Sequence, residues 1–350
     1  MGRGDIPPIL KRSQPEDTAV NVPARTSRLA LPSSPTARFI LGMLASLAAA
    51  LLWGGGSVVS RHLVSQKLDP MDLALLRYIG CFPIALVALL LFRERVRLDV
   101  SWFRLIVLLL LAGPPYHVFV IGGYAHATAG AGALIITGLM QVFSLAVPFL
   151  LVGTRPGFAP VIGASLAIFG LAVFSTDMAA GFSFTPLGLA IFSIAALGWA
   201  LLTYYVKLWK IDPLQLTNAL ALWSPLFLPL YLWFRPSPDF SGPLSETLLQ
   251  LVYHGILVAY GATLLFFVAV RQLDISTAAV IQALAPGLAA VMGAALLGEI
   301  LSPTRLLGIA IVITGIVVTS VGARIWKQFT RSPPRILEVS AVPGQSSSPR

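Results

Sequence analysis

Ten stretches of this chain are each long and apolar enough to cross a lipid bilayer as a helix, which takes about 20 residues. They fall at about Phe39–Ser60, Leu73–Phe92, Phe103–Gly123, Ala127–Val152, Phe158–Ser175, Pro186–Val206, Leu214–Phe234, Leu248–Val270, Thr277–Leu297 and Leu306–Val321. The runs are too long for the strands of a membrane barrel and lack their apolar–polar alternation. A helix also satisfies its own backbone polar groups, which lipid demands. Composition agrees: 57% of residues are hydrophobic and 11% charged, against roughly 45–50% and 25% in soluble domains. The expected fold is an all-α polytopic membrane protein with ten transmembrane helices, and the lipid bilayer is its first partner.

Lys and Arg set an orientation. With the N-terminus in the cytoplasm, the short inner loops hold Arg93, Arg95, Arg97, Arg104, Arg155, Lys207, Lys210 and Arg271, and the outer loops hold Arg61, Lys67, Arg235 and Arg305. Both tails are basic as well. Cytoplasmic loops of helical membrane proteins carry such an excess, so both termini are expected in the cytoplasm and the protein in the inner (plasma) membrane. The net charge of +10 is thus spread over loops and tails. A nucleic-acid reader would gather it on one folded face, and no nucleic-acid partner is expected. The single cysteine, Cys81, excludes a disulfide framework and a cysteine-based zinc site. Residues 1–37 lack the apolar core of a secretory signal. They read as a disordered cytoplasmic tail, either an unselected extension or the product of a start codon placed too early. Residues 323–350 read as a second such tail.

The two halves look alike. Trp53 precedes Asp69-Pro70 much as Trp199 precedes Asp212-Pro213, and Gly153, Gly163 and Gly170 recur as Gly298, Gly308 and Gly315, shifted by 145 residues. The repeats are placed at 38–176 and 177–322. Five helices is an odd number, so the second repeat enters the membrane from the opposite side. Inverted repeats of this kind are a recurring architecture of secondary transporters, with the substrate near the midplane between the halves.

The Leu-Trp-Gly-Gly run at Leu52–Gly55, the Leu-Arg-Tyr at Leu76–Tyr78 after Asp69-Pro70, the Gly-Trp-Ala at Gly198–Ala200 and the Leu-Gly-Glu at Leu297–Glu299 occur in a telling order. With them, the region from Phe39 to Val321 resembles the drug/metabolite transporter superfamily, specifically its ten-helix EamA-type members. That resemblance implies export or exchange of amino acids, drugs, nucleotide precursors or related metabolites. The first half departs from the pattern, with Val152-Gly153-Thr154 in place of a Leu-Gly-Glu and Gln141 where a proline is common.

Polar groups deep in lipid usually face a cavity or a partner. Gln141 and Gln282, in the related fourth and ninth helices, either line the pathway or bridge two helices. Tyr116 and His117 follow Gly113-Pro114-Pro115 and form the polar cluster of most interest, although a buried His bonded to a carbonyl is the commoner arrangement. His254 and Tyr260 occupy a comparable zone of the eighth helix. Trp53 and Trp199 either bracket a substrate or serve as interface aromatics. Pro286, with Gly287, frees backbone groups in the ninth helix or simply kinks it. Arg77 either binds a carboxylate or phosphate bidentately, snorkels to the outer surface, or pairs with Asp72.

No Asp or Glu falls in the central part of any helix, so a carboxylate proton relay is not expected. Proton coupling, if used, falls to His117 or His254, behind uniport or exchange. There is no Gly-Lys-Ser/Thr phosphate loop, so ATP does not power the protein. No enzyme activity, cofactor or metal is expected. The reading is a secondary transporter that exports a small metabolite, such as an amino acid or drug-like compound, by alternating access, with a homodimer left open. A non-transporting scaffold or receptor is the alternative, followed by a lipid-modifying enzyme.

Overall fold

The computed structural model describes residues 34–177, 183–240, 242–273 and 275–330. Of the tails expected to be disordered, residues 1–33 and 331–350 lie outside the described residues, whereas 35–37 open the first helix and 323–330 continue the last one, because each helix runs on past its apolar core. The first half comprises α1 (Pro35–Ser65), α2 (Pro70–Val96), α3 (Trp102–Ala112), α4 (Pro114–Gly123), α5 (Ala129–Val152) and α6 (Phe158–Ser175). The second comprises α7 (Pro186–Leu208), α8 (Pro213–Leu222), α9 (Leu228–Phe234), α10 (Leu244–Leu249), α11 (Thr263–Gln272), α12 (Ile275–Gln282), α13 (Ala285–Leu297) and α14 (Pro303–Thr330). A 3-10 turn, Ser224–Phe227, joins α8 to α9, and a π-helix, Gln250–Ala262, joins α10 to α11.

Among the described residues, nine helices are long and apolar enough to cross a membrane, and α8 with Ser224–Phe234, bent by 45°, makes the tenth. Three crossings are broken beside prolines, which cannot donate to the helix ladder. The third breaks at Gly113 before Pro114, the seventh at Trp223 before Pro225, and the ninth at Ala283-Leu284 before Pro286. Helix starts follow capping chemistry. Ser34 accepts from Ala37 N with Pro35 in the first turn, and so lengthens the first crossing beyond its apolar core. Large apolar side chains point outward, among them Leu90 at 74% and Leu150 at 76% exposure, whereas the interior is dominated by Ala and Gly. Small residues at helix contacts are how membrane helices approach closely.

The repeat holds down to backbone torsions. Lys67 and Lys210, 143 positions apart, both adopt left-handed φ, 67° and 53°. In each case the next amide donates back five residues, Leu68 N to Leu63 O and Ile211 N to Val206 O. Asp69 and Asp212 then cap α2 and α8. The turns lie at opposite ends of the bundle, called here the Lys67 end and the Lys210 end. Gly153 and Gly298 close α5 and α13, each at φ 68°. The other repeated glycines cross: a Cβ on Gly163 would lie 2.5 Å from Gly315 O, and one on Gly170 would lie 2.7 Å from Gly308 O. α6 and α14 therefore touch backbone to backbone along one seam.

The Lys67 end is fastened by long-range polar contacts. Arg235 Nη2 donates to Asp72 Oδ2 at 2.6 Å and the Tyr231 hydroxyl donates to Oδ1 at 2.5 Å. Arg61 donates to Tyr124 O at 2.8 Å, and His62 faces Glu246 at 3.2 Å. The Ser302 hydroxyl donates to Asp177, whose carboxylate also faces Arg305. Glu299 accepts from Ala129 N at 2.7 Å, so the end of one repeat caps α5 of the other. The Glu299→Ala variant is expected to lose about 1 kcal/mol, as other lost caps do, read as a lower melting temperature in detergent.

Candidate functional site

Four of the side chains expected to matter, Arg77, Tyr116, His117 and His254, lie on α2, α4 and the π-helix, which meet α1 toward the Lys67 end. The route there starts with Gly54, Gly55 and Gly56 of α1. A Cβ on Gly54 would lie 2.8 Å from Ala285 O, and one on Gly56 would lie 3.3 Å from His254 Nε2. The bare α1 backbone thus admits α13 on one side and His254 on the other. His254 is buried, with Nε2 3.1 Å from Gly56 O and 3.3 Å from Ser60 Oγ. Its Nδ1 lies 2.7 Å from Gln250 Oε1, and Gln250 Nε2 donates to Leu73 O at 2.7 Å. That second bond fixes the amide, so Oε1 is the atom presented to Nδ1 and that nitrogen carries the proton. α1, the π-helix and α2 are tied by one hydrogen-bond chain. Just beyond it, a Cβ on Gly255 would lie 2.8 Å from Arg77 O and from Gly80 Cα, so α2 and the π-helix are in backbone contact beside Arg77.

His117, on α4, faces this chain. Its Nδ1 lies 2.9 Å from the Tyr78 hydroxyl and 3.1 Å from Gly113 O. One tautomer donates to the carbonyl and the other accepts from Tyr78. The Tyr116 ring meets His117 edge-on at 5.0 Å and lies 5.7 Å from Trp199 of α7. The Tyr124 hydroxyl donates to Ser57 Oγ at 2.7 Å, and that of Tyr253 donates to Leu52 O at 3.2 Å.

Arg77 completes the group. Its charge acts on Tyr78, Tyr116, His117 and His254, which belong to α2, α4 and the π-helix. The pairing with Asp72 does not form, because Asp72 is held by Arg235 and Tyr231. Among the described residues Arg77 has no ion-pair partner. A half-buried guanidinium can take a carboxylate or phosphate in two parallel hydrogen bonds. Tyr78 also lines a cavity of about 730 Å³ between α2, α4 and Ser224–Phe234, walled otherwise by residues such as Phe82, Pro115 and Phe227.

The remaining candidates lie elsewhere. Gln141 accepts from Thr319 Oγ1 at 3.0 Å and links α5 to α14. Gln282 donates to Ser46 O at 2.7 Å and links α12 to α1. The Tyr260 hydroxyl donates to Asn218 at 3.0 Å, between the π-helix and α8. Trp53 packs on Phe266 at 5.7 Å, and Pro286 is buried at the start of α13. Sequence reasoning passed over Tyr78, Ser60 and Gln250. Tyr78 stood in the Leu-Arg-Tyr motif; nothing local marked the other two.

The sequence is 26% identical, over 206 residues, to an uncharacterized transporter of Archaeoglobus fulgidus, covering 58% of this chain and 72% of that protein. A crystal structure of a protein 18% identical in sequence superposes with a TM-score of 0.57 over 82% of this chain and 98% of the other, a likeness of fold. The pattern of the EamA-like transporter family matches twice, over residues 40–176 and 186–321, one match for each half. A ten-crossing bundle of two matched halves, with a polar cluster between them, has its place there: the chain belongs to the EamA-like transporter family.

Proposed function

We propose that this membrane transporter exports a small anionic metabolite, with carboxylate-bearing amino acids as the leading class, across the inner membrane by alternating access. The observation that carries this reading is Arg77, a guanidinium inside the bundle with no acidic partner among the described residues. A charge left unmatched in low dielectric favours a ligand that brings the opposite charge. Both termini are taken as cytoplasmic, from the basic inner loops. The Lys67 end then faces outward. Substrate reaches Arg77 from the Lys210 side and leaves when the fastened outer end opens.

The direct test compares metabolite pools inside and outside cells that lack or overexpress the protein, by mass spectrometry. A carboxylate-bearing compound should accumulate outside on overexpression, and the Arg77→Gln variant should abolish the accumulation. Accumulation inside instead would reverse the direction, and neutral or cationic cargo would remove Arg77 from substrate binding. The transport mode in this reading is uniport or exchange. His117 and His254 are the titratable groups able to add a proton. Transport into proteoliposomes by the His117→Ala/His254→Ala variant is expected to respond to an imposed pH gradient as the parent does; loss of that response in the variant alone would establish histidine-linked coupling.

A further inference from the structure

We propose a second anion site, distinct from the Arg77 cluster: a seat for the phosphate of an anionic glycerophospholipid at the Lys210 end, between α2, α3 and α8. A cavity of about 600 Å³ lies there, lined among others by Arg93, Arg97, Asn218, Trp102 and Trp223. The backbone places the arginines. α2 loses helical geometry at Phe92, with φ −132° and ψ 36°, and ends in extended conformation at Arg97. Neither guanidinium has a hydrogen-bond or ion-pair partner among the described residues. Asn218 is 1% exposed; its Oδ1 accepts from Tyr260, and its amide nitrogen donates to no described residue. An amide with spare donors and two free guanidinia lining one space form a cradle for phosphate oxygens. Topology accounts for basic residues in this loop. It does not account for a buried amide lining the same space.

The wall argues for a lipid over a water-soluble anion. The cavity lining continues sideways onto Leu90, 74% exposed, and Trp102, 60% exposed, which belong to the lipid-facing surface. A headgroup seated on the arginines can lay its acyl chain along Leu89 and Leu90 without leaving the hydrocarbon. Trp102 and Trp223 meet edge to face at 5.1 Å on the α3–α8 side of the space. Assigning the seat to the cytoplasmic leaflet rests on the orientation proposed above; the binding itself does not.

The test uses the purified full-length chain in neutral-detergent micelles doped with bromine-labelled phospholipid, which quenches nearby tryptophan fluorescence. Brominated phosphatidylglycerol should quench at concentrations at least about five-fold lower than brominated phosphatidylcholine, the size expected of one basic side chain at an anionic lipid surface. The preference should vanish in Arg93→Gln/Arg97→Gln, survive in the exposed-loop control Arg155→Gln, and be retained in part in Arg93→Lys/Arg97→Lys. Replacing Trp102 and Trp223 with Phe should remove the selective component of the signal. Equal loss in the Arg155→Gln control, or no preference in the parent chain, overturns the proposal. So does displacement of the lipid by millimolar inorganic phosphate, which would assign the cradle to a soluble anion. Transport activity is not the readout, so failure here leaves the Arg77 reading standing.

Discussion

Arg77→Gln is expected to weaken binding of an anionic substrate by about 30-fold or more, because truncating one partner of a desolvated charge pair costs about 2–5 kcal/mol. The measurement is the concentration dependence of counterflow in proteoliposomes. Arg77→Lys should recover only part of the loss, since an ammonium keeps the charge without the planar fork that grips two oxygens. The melting temperature of the empty protein should move little in either variant. Among the described residues no ion pair is broken. A large fall in stability with unchanged substrate affinity would make Arg77 a structural residue, with its charge serving Tyr78 and the imidazoles around it.

Gly163→Leu should fail at an earlier stage, by preventing α6 and α14 from packing. The two helices approach so closely that a Cβ on either Gly163 or Gly315 falls 2.5 Å from the other's carbonyl oxygen. The obstacle is backbone, which has no rotamer to yield. The cost is placed at about 3 kcal/mol or more, at or above the upper range for overpacked cores. Size-exclusion profiles of a fluorescent fusion should show the monodisperse peak lost. Gly157→Leu offers the contrast: its nearest neighbour to an added Cβ is the Pro160 ring at 3.8 Å, and the profile should be unchanged.

Much of this architecture could be read in advance because membranes simplify the problem. Length and apolarity mark a crossing, while the exact starts at Asp69-Pro70, Thr185-Pro186 and Asp212-Pro213 emerge in the structure, where a capping oxygen and a proline suit a first turn. The glycines at constant offset pointed to the repeat, and four of them, Gly163, Gly170, Gly308 and Gly315, form the close seam between α6 and α14. Partnership was harder to read. Asp72 stands one and a half helical turns from Arg77 in sequence, yet the chain returns more than 150 residues later to give that carboxylate to Tyr231 and Arg235. Glu299 looked like part of a loop, and what it caps begins 170 residues earlier, at Ala129. Gln141 and Gln282 stood mid-membrane, where lining a pathway and tying two helices look identical from one strand of text. The π-helix at Gln250–Ala262 gave no signal at all. Its residues suit an ordinary helix, and the wider winding appears where the segment packs between α1 and α2.

The contacts at the Lys67 end also bear on time. Asp72 with Tyr231 and Arg235, Glu299 with Ala129, Arg61 with Tyr124 and Asp177 with Ser302 and Arg305 all gather there. At the opposite end the described contacts include the Trp102–Trp223 edge and Arg104 over the Trp209 ring at 5.3 Å. In the proposed alternating-access cycle, two ends fastened so unequally should not share time evenly. The empty carrier is expected to dwell open at its lightly held end, with the parting of the other as the slow, strongly temperature-dependent step. Loosening that latch should speed turnover before it harms the fold, so the fastest variants of this protein are to be sought among its mildly destabilised ones.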